Sequence, residues 1–174
     1  SINTWWELDP EFEDKEITEA EAIEEFAGLL QSSVKRRMRS DLPVGTSLSG
    51  GLDSSSIVAM IHSLNHPNNS QQTFTAVFDG FEKDEAAFAA TVANEFRLQQ
   101  HIARFTGDEL LQDWDKLCYH QEEPFGSSSI YAQYKVYEKA REEGITVLLD
   151  GQGADEILAG YSSYYKWYWQ ELFR

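Results

Sequence analysis

Most of the side chains that could do chemistry lie in two glycine-containing segments, residues 49–56 and 150–156. The first reads Ser-Gly-Gly-Leu-Asp-Ser-Ser-Ser, so its backbone N–H groups, its hydroxyls and the start of a following helix all offer donors to an anion. Asp53 lies among these donors and would repel a phosphate group unless a cation lies between the two. Because Mg²⁺ is commonly held by one or two carboxylates together with phosphate oxygens, the segment predicts a magnesium–phosphate site with Asp53 as a ligand. The alternative is a tight turn in which Asp53 only caps the helix.

The second segment repeats this arrangement after another apolar run. It reads Asp-Gly-Gln-Gly-Ala-Asp-Glu from Asp150 to Glu156. In a parallel sheet it can face the first segment, and Asp155 would then supply a second carboxylate to the metal and phosphate region. The alternative for Asp155 and Glu156 is a solvated helix start, where acidic residues are common. The first segment lacks both the Gly-Lys-Ser/Thr ending of a P-loop and the G-x-G-x-x-G pattern of a dinucleotide site, which argues against those two kinds of nucleotide binding.

Short apolar runs alternate with helical patterns and must position these segments. The sequence predicts strands over 44–48, 73–78, 100–105 and 145–149, and helices after the capping-box pair Thr18 and Glu21 and over 84–96, 107–119 and 130–143. We expect the following apolar residues to face inward: Ile23, Phe26, Ala27, Leu30, Val34 and Met38; Phe88, Val92 and Phe96; and Leu110, Leu111, Trp114 and Leu117. The alternation indicates an α/β fold, a parallel sheet flanked by helices on both faces. Ligands of such sheets bind beyond the carboxyl ends of the strands, where both glycine segments fall.

Composition excludes several classes of function. The 174 residues include 14 Lys and Arg and 30 Asp and Glu, a net charge of −16, which argues against partners such as nucleic acids or anionic membranes. A single cysteine, Cys118, rules out an internal disulfide. No apolar run approaches the roughly 18 residues of a membrane span, and residues 1–7 do not resemble a signal peptide. We therefore expect a cytoplasmic globular protein.

The Ser-Gly-Gly-Leu-Asp-Ser-Ser string after a strand resembles the pyrophosphate loop of N-type ATP pyrophosphatases, which have the adenine nucleotide alpha hydrolase-like (HUP-type) fold. Together with the lead-in Trp-Trp-Glu-Leu-Asp-Pro and the stretch from Asp150 to Tyr161, it makes the chain most similar to the C-terminal synthetase domain of class II glutamine-dependent asparagine synthetases. The resemblance implies that ATP and Mg²⁺ bind the two glycine segments. It also implies that the side-chain carboxylate of aspartate is adenylated with release of pyrophosphate, and that ammonia then gives asparagine and AMP.

The resemblance also implies roles for individual residues. It places ATP at Leu48, Ser49, Gly50, Gly51, Asp53, Ser54, Ser55, Val77, Asp150 and Gly151, and the amino-acid substrate at Ser127 and Ser128. Asp53 and Asp155 are expected to act as catalytic and metal-binding residues. Gln152 is expected to contribute to catalysis, although asparagine synthetases often have Glu at its position, where it is implicated in handling ammonia. A Gln side chain cannot act as a base near neutral pH but can orient ammonia by hydrogen bonding. Related ligases, such as a β-lactam synthetase-like enzyme or an amidotransferase for another acid, therefore stay open.

The resemblance further implies a domain organisation. Residues 1–16 would link the chain to an absent N-terminal glutaminase domain, and residues 17–174 would form a partial synthetase domain truncated at its C-terminus. Glutamine-dependent members begin with a catalytic cysteine, whereas residue 1 is Ser and Cys118 falls in a predicted helix, where we expect a packed thiol. The aromatic residues between 161 and 173 indicate a helix face meant to be buried, through which the fragment could form a homodimer. We expect little activity from the fragment alone, and a non-catalytic nucleotide-binding remnant is the remaining alternative.

Overall fold

The computed structural model describes residues 3–9, 16–64, 71–77 and 84–173. In chain order its elements are α1 (Glu19–Arg37), β1 (Val44–Ser47), α2 (Leu52–Ser63), β2 (Gln72–Val77), α3 (Ala86–Glu95), β3 (Gln99–Arg104), α4 (Gly107–Gln121), α5 (Ser129–Glu142), β4 (Val147–Leu149), α6 (Ala154–Leu158) and α7 (Ser162–Leu172). The predicted strands and helices are confirmed to within about two residues at each end. The predicted strand end at Phe78 and part of the predicted linker 1–16 lie outside the described residues.

The chain divides into two compact units, Ser1–Ser33 and Val34–Arg174. In the first unit, residues 3–9 have no regular secondary structure and α1 begins after a capping box. The Thr18 backbone N–H donates to Glu21 Oε2 at 2.9 Å, and the Glu21 N–H donates to Thr18 Oγ1 at 3.3 Å. This confirms the start predicted from the Thr–Glu spacing.

The second unit contains a four-stranded parallel sheet in the order β3-β2-β1-β4. In register, Thr46 of β1 lies between Thr73 of β2 and Leu149 of β4. The chain thus runs outward from β1 to β3 and then crosses back to place β4 on the other side of β1. This order brings the loops that follow β1 and β4 to neighbouring positions at one edge of the sheet.

Two hydrophobic clusters hold helices on opposite faces of the sheet. On one face, α5 and the segment after it pack on β2 and β3 through Phe74, Ala103, Val136, Ala140 and Ile145. The residues of the cluster on the other face come from the end of β1, α2 and α3: Leu48, Val58, Ala89 and Ala93. The predicted layering, with helices on both faces of a parallel sheet, is therefore confirmed.

Several residues expected to face inward are exposed instead. Phe88 is 65% exposed, and the small side chains of Ala89 and Ala93 are the ones that α3 buries. Their size lets α3 approach the sheet closely. On α4, Leu111 and Trp114 are exposed and only Leu117 is fully buried.

On α1, Ile23 and Phe26 are exposed, whereas Val34 is buried as expected. The aromatic residues of α7 are also largely exposed: Tyr165, Trp167, Tyr168 and Trp169. No residue of α7 is buried among the described residues, so the predicted burial of this face stays a prediction. None of the described helices is both long enough and apolar enough to cross a membrane.

Helix α4 begins with a second capping box, which offers a test of local stability. The Glu109 N–H donates to Thr106 Oγ1 at 3.3 Å, and the Thr106 N–H donates to Glu109 Oε2 at 2.6 Å. Thr106→Ala removes one of these bonds and is expected to lower the free energy of unfolding by about 1 kcal/mol. Thr91→Ala is the control, because Thr91 lies inside α3 and donates only to the Ala87 carbonyl. Urea unfolding of the two variants measures the difference, and equal stabilities would contradict a capping role for Thr106.

Candidate functional site

The two glycine segments meet at the carboxyl edge of the sheet. The first follows β1, the second follows β4, and these strands are paired neighbours. Gly151 packs directly on the start of α2, since a Cβ built on it would lie 3.0 Å from the Ser54 backbone nitrogen and 3.1 Å from Asp53 Cβ. The expected juxtaposition of the two turns is therefore present, and any side chain at position 151 would separate them.

Hydrogen bonds between serines shape the first segment. Ser49 Oγ lies 3.0 Å from Ser54 Oγ and accepts a bond from the Gly51 N–H at 3.1 Å. The Ser49 N–H donates to Ser54 Oγ at 3.3 Å. The Ser55 hydroxyl is buried and has no hydrogen-bond partner among the described residues. Two hydroxyls of the segment therefore close the turn, and the Ser55 hydroxyl is left without a partner among the described residues.

Asp53 does not cap α2. The N-cap residue is Gly51, which has no side chain to cap with, and Asp53 is the second residue of the helix. Its carboxylate lies in the first turn of the helix, where the helix dipole favours a negative charge. This excludes the N-cap alternative for Asp53 and leaves its carboxylate at the edge where the two segments meet.

Gly50 is required by the approach of α3. Its φ is +88°, and a Cβ at this position would lie 2.6 Å from Phe88 Cβ and 2.6 Å from the Phe88 carbonyl carbon. Both the left-handed conformation and the absence of a side chain therefore demand glycine.

The second segment leads into α6, a helix of five residues. Asp155 is half-buried, and its carboxylate lies over Gly160, whose N–H donates to the Asp155 carbonyl at 3.0 Å. Glu156 accepts a bond from the Tyr161 hydroxyl at 2.8 Å, which raises the pKa of Tyr161 to about 12. Glu156 is therefore paired with Tyr161 on the surface, whereas the Asp155 carboxylate lies beside Gly160, at the end of the same short helix.

A cavity of about 650 Å³ opens beside the two segments, between the sheet edge and α5. It is lined by Ser47, Leu48, Ser49, Phe74, Ala76, Asp84, Glu85, Ser129, Ile130, Ala132, Gln133, Val136, Asp150 and Gln152. Four residues of the predicted site line it: Leu48, Ser49, Asp150 and Gln152. Of the charged residues that the structure describes around it, all three are acidic: Asp84, Glu85 and Asp150.

The other predicted site residues, including Asp53 and Asp155, do not line this cavity. Val77 is the last residue of β2 and is buried. Ser127 and Ser128 are exposed residues just before α5, and Ser127 Oγ lies 2.9 Å from the hydroxyl of Ser129, which does line the cavity. The roles predicted for these residues stay predictions.

Sequence reasoning did not find the contribution of α5 to the cavity. Gln133 lines it, and Tyr137, one turn further along the helix, donates to Asp150 Oδ2 at 3.3 Å. No motif marks these residues, because they approach the site only after α5 packs on the sheet. The acids Asp84 and Glu85 could have been found, since they follow β2 toward the same sheet edge.

A metal site built from protein ligands alone is not present in the described part of the chain. Across residues 3–9, 16–64, 71–77 and 84–173, no group of three or more His, Cys, Asp or Glu side chains could hold a metal ion. A pair of carboxylates that shares a cation with phosphate oxygens is the remaining type of site. Cys118 is a partly buried free thiol on α4, as expected for a packed residue.

Comparison with known proteins identifies the family. The family model described as asparagine synthase matches residues 25–174. The chain belongs to the asparagine synthase family. The prediction made from the three sequence motifs is therefore confirmed.

Two relatives illustrate the similarity. The chain is 37% identical over 173 residues to a Methanocaldococcus jannaschii protein with the printed name "Putative asparagine synthetase (glutamine-hydrolyzing) 2", covering 98% of this chain and 32% of that protein. It is 31% identical over 153 residues to asparagine synthetase (glutamine-hydrolyzing) 1 of Bacillus subtilis, covering 88% of this chain and 24% of that protein. The chain thus spans about a quarter to a third of the length of these family members.

Two solved structures share the fold of this chain. The U34-tRNA thiolase NcsA from Methanococcus maripaludis matches with a TM-score of 0.52 and 17% identity, over 79% of this chain and 52% of that one. The NH3-dependent NAD synthetase from Campylobacter jejuni matches with a TM-score of 0.50 and 18% identity, over 84% of this chain and 62% of that one. At these identities the likeness shows the shared fold, which agrees with the predicted HUP-type architecture.

Proposed function

We propose that this chain is the ATP-using domain of an amidoligase that adenylates the side-chain carboxylate of aspartate and passes the acyl group to ammonia. Family membership supports the reaction class. The single observation that carries the proposal is the packing of Gly151 against Asp53 and Ser54, which joins two donor-rich turns at the carboxyl edge of adjacent strands. This is the position at which open α/β sheets bind their ligands.

The donor set of the first segment fits a polyphosphate. The buried Ser55 hydroxyl, which lacks a partner among the described residues, and the N-terminus of the 12-residue helix α2 both suit an anion. The hydroxyls of Ser49 and Ser54, which lie 3.0 Å apart, can each rotate to donate a hydrogen bond to a phosphate oxygen instead of to one another. Positioning of the triphosphate by such fixed donors is the main catalytic requirement of phosphoryl-type transfer.

Asp53 and Asp155 fit a magnesium ion bound together with phosphate. Both are partly buried acids in the first turn of helices that follow the two glycine segments. Mg²⁺ keeps several non-protein ligands, so two carboxylates suffice. The chemistry that Mg²⁺ supplies when bound is neutralisation of the charge that collects on the phosphate oxygens.

The reaction then takes place in two displacements. An oxygen of the aspartate side-chain carboxylate attacks the α-phosphorus of ATP, and the bond from that phosphorus to the bridging oxygen breaks to release pyrophosphate. The nitrogen of ammonia next attacks the acyl carbon, the bond from that carbon to the AMP oxygen breaks, and ammonia gives up one proton. Gln152 lines the cavity and can orient ammonia or the acyl carbonyl by hydrogen bonding, and another base takes the proton.

The proposal extends to a source of ammonia. The relatives' names include glutamine hydrolysis, and the chain covers about a quarter to a third of their length. A glutaminase domain of the same polypeptide, which would precede this domain, is the partner that we propose. A second candidate, a same-fold ligase for another acid, is favoured only by Gln152 at the cavity, where many asparagine synthetases have Glu.

The test is aspartate-dependent exchange of pyrophosphate into ATP by the full-length gene product. We expect exchange with aspartate that requires Mg²⁺ and does not require ammonia, because adenylation precedes amidation. A panel of other carboxylic acids is the control for substrate choice. Exchange with another acid but not with aspartate would change the proposed substrate and keep the proposed mechanism. Exchange with no acid would contradict the proposed function.

A further inference from the structure

The turn between α6 and α7 departs from the usual pattern of a helix end. Helices commonly end at a residue in the left-handed conformation, and that residue is usually glycine. Here the left-handed residue is Ala159, with φ at +56° and ψ at +40°. Glycine follows one position later, at Gly160, whose φ does not lie in the left-handed range. The backbone at residue 160 therefore does not require glycine, and its missing side chain has another cause.

The space beside Gly160 is occupied by the Asp155 carboxylate. A Cβ built on Gly160 would overlap Asp155 Oδ1 and would lie 2.9 Å from Asp155 Cγ and 3.3 Å from its Cα. The turn at Ala159 brings the two residues together, because the Asp155 carbonyl accepts N–H bonds from both Ala159 and Gly160, the latter at 3.0 Å. A side chain at position 160 and the observed orientation of the Asp155 carboxylate therefore exclude each other.

No polar contact among the described residues fixes this carboxylate. Its oxygens accept no hydrogen bond and form no ion pair there, although Asp155 is half-buried. The next residue, Glu156, is by contrast bonded to the Tyr161 hydroxyl at 2.8 Å. An aspartate side chain has three staggered orientations about χ1, and the free space at Gly160 is what makes the observed one accessible.

We propose that Gly160 is a positioning residue of this site, because it leaves the space that the Asp155 carboxylate needs in order to bind the cation. The inference rests on the proposed function, in which Asp155 shares a magnesium ion with phosphate oxygens. It goes further by making cation binding depend on a residue that supplies no ligand. A methyl group at position 160 would turn the carboxylate to another rotamer. Since the overlap is mainly with the end of a side chain, this rotation should weaken cation binding and leave the stability of the fold nearly unchanged.

Binding of a nucleotide analogue measures this effect without turnover. Equilibrium dialysis of the full-length gene product with radiolabelled α,β-methylene-ATP, which cannot release pyrophosphate, is repeated over a range of Mg²⁺ concentrations. In Gly160→Ala we expect the Mg²⁺ concentration for half-maximal binding to rise about 10-fold, the low end of the range for residues that orient a metal ligand. The melting temperature should change by less than about 4 °C. An unchanged Mg²⁺ requirement would overturn the inference.

Gly107→Ala is the matched control. Gly107 begins α4, its φ does not lie in the left-handed range, and a Cβ there would meet no atom within 4 Å. This substitution adds the same methyl group without an overlap, so we expect the Mg²⁺ requirement to change by less than about twofold. An equal rise in both variants would show that the effect does not depend on the Asp155 carboxylate, and the inference would be wrong.

A double variant shows whether Gly160 acts through Asp155. In Asp155→Ala the carboxylate is absent, so the addition of Gly160→Ala should change the Mg²⁺ requirement by less than about twofold more. A further 10-fold rise would place the effect of Gly160 elsewhere and overturn the inference.

The same pair covers the case in which Gly160→Ala alone does not fold. The overlapping oxygen is gone in the double variant, which should then melt within about 4 °C of Asp155→Ala. A double variant that stays unstable would show that the side chain of Asp155 is not what requires glycine at position 160, and would contradict the inference.

These outcomes are separate from those of the exchange assay. Coupling between Gly160 and Asp155 in analogue binding, together with absent pyrophosphate exchange, would contradict the proposed reaction and keep the inference. Exchange with aspartate, together with a Mg²⁺ requirement that Gly160→Ala does not change, would keep the reaction and overturn the inference. Absence of analogue binding by the unaltered protein would contradict both.

Discussion

Asp53→Asn in the full-length gene product is expected to lower the rate of aspartate-dependent ATP–pyrophosphate exchange about 100-fold. Asn has the same shape as Asp but lacks the charge that a cation between the carboxylate and the phosphates requires. The remaining activity should need a higher Mg²⁺ concentration, since one ligand of the ion is weakened. Exchange rates measured over a range of Mg²⁺ concentrations test both expectations.

Asp108→Asn is the matched control for this substitution. Asp108 is the second residue of α4, as Asp53 is of α2, so both changes remove the same favourable charge from a helix start. We expect less than a twofold effect on exchange from Asp108→Asn, and similar small losses of stability from both variants. If Asp53→Asn retained more than half of the exchange rate, Asp53 would have only this helix-start role and the metal assignment would be wrong.

The architecture could be predicted because it depends on local patterns. The apolar runs that became β1 and β4 alternate with helical periodicity, and parallel strands joined by helices follow from that alternation. The strand order could not be predicted in this way, since neither apolar run specifies which strand pairs with it. The pairing of β1 with β4 results from the return of the chain past β2 and β3. This pairing is what brings Gly151 against Asp53.

Helix faces were predicted less well because periodicity alone does not rank side chains by size. On α3, the helix face that contains Phe88 and the helix face that contains Ala89 are offset by only one residue. The short distance between α3 and the Gly50 loop selects the face that contains Ala89 and leaves the Phe88 side chain largely in solvent. On α4, the prediction required a partner surface for Leu111 and Trp114 that the described residues do not supply.

In the candidate site too, contacts between residues close in sequence could be predicted, and contacts between distant residues could not. Ser49, Ser54 and Gly51 are bonded to one another within six residues, so their motif could be recognised directly. Tyr137 reaches Asp150 from a helix that precedes β4, thirteen positions earlier in the sequence. Such a contact has no sequence pattern, and it became visible only with the packing of α5.

Gly50→Ala is expected to lower the free energy of unfolding by about 3 kcal/mol. Part of this loss comes from the left-handed conformation, with φ at +88°, which costs a non-glycine residue about 1–2 kcal/mol. The rest comes from overlap, because the new methyl group would lie 2.6 Å from the Phe88 carbonyl carbon, and the backbone of α3 would have to move. Urea unfolding followed by circular dichroism measures the change.

Gly144→Ala separates the two contributions. Gly144 follows α5 with φ at +78°, and a Cβ there would meet no atom within 4 Å, so only the conformational cost applies. We expect Gly144→Ala to lower the free energy of unfolding by about 1–2 kcal/mol, and the additional loss in Gly50→Ala then reports the contact between the first glycine segment and α3. Equal losses in the two variants would show that α3 can move away from the new methyl group without lowering the free energy of unfolding. The close approach of α3 would then not be a constraint on the segment that we propose holds the polyphosphate.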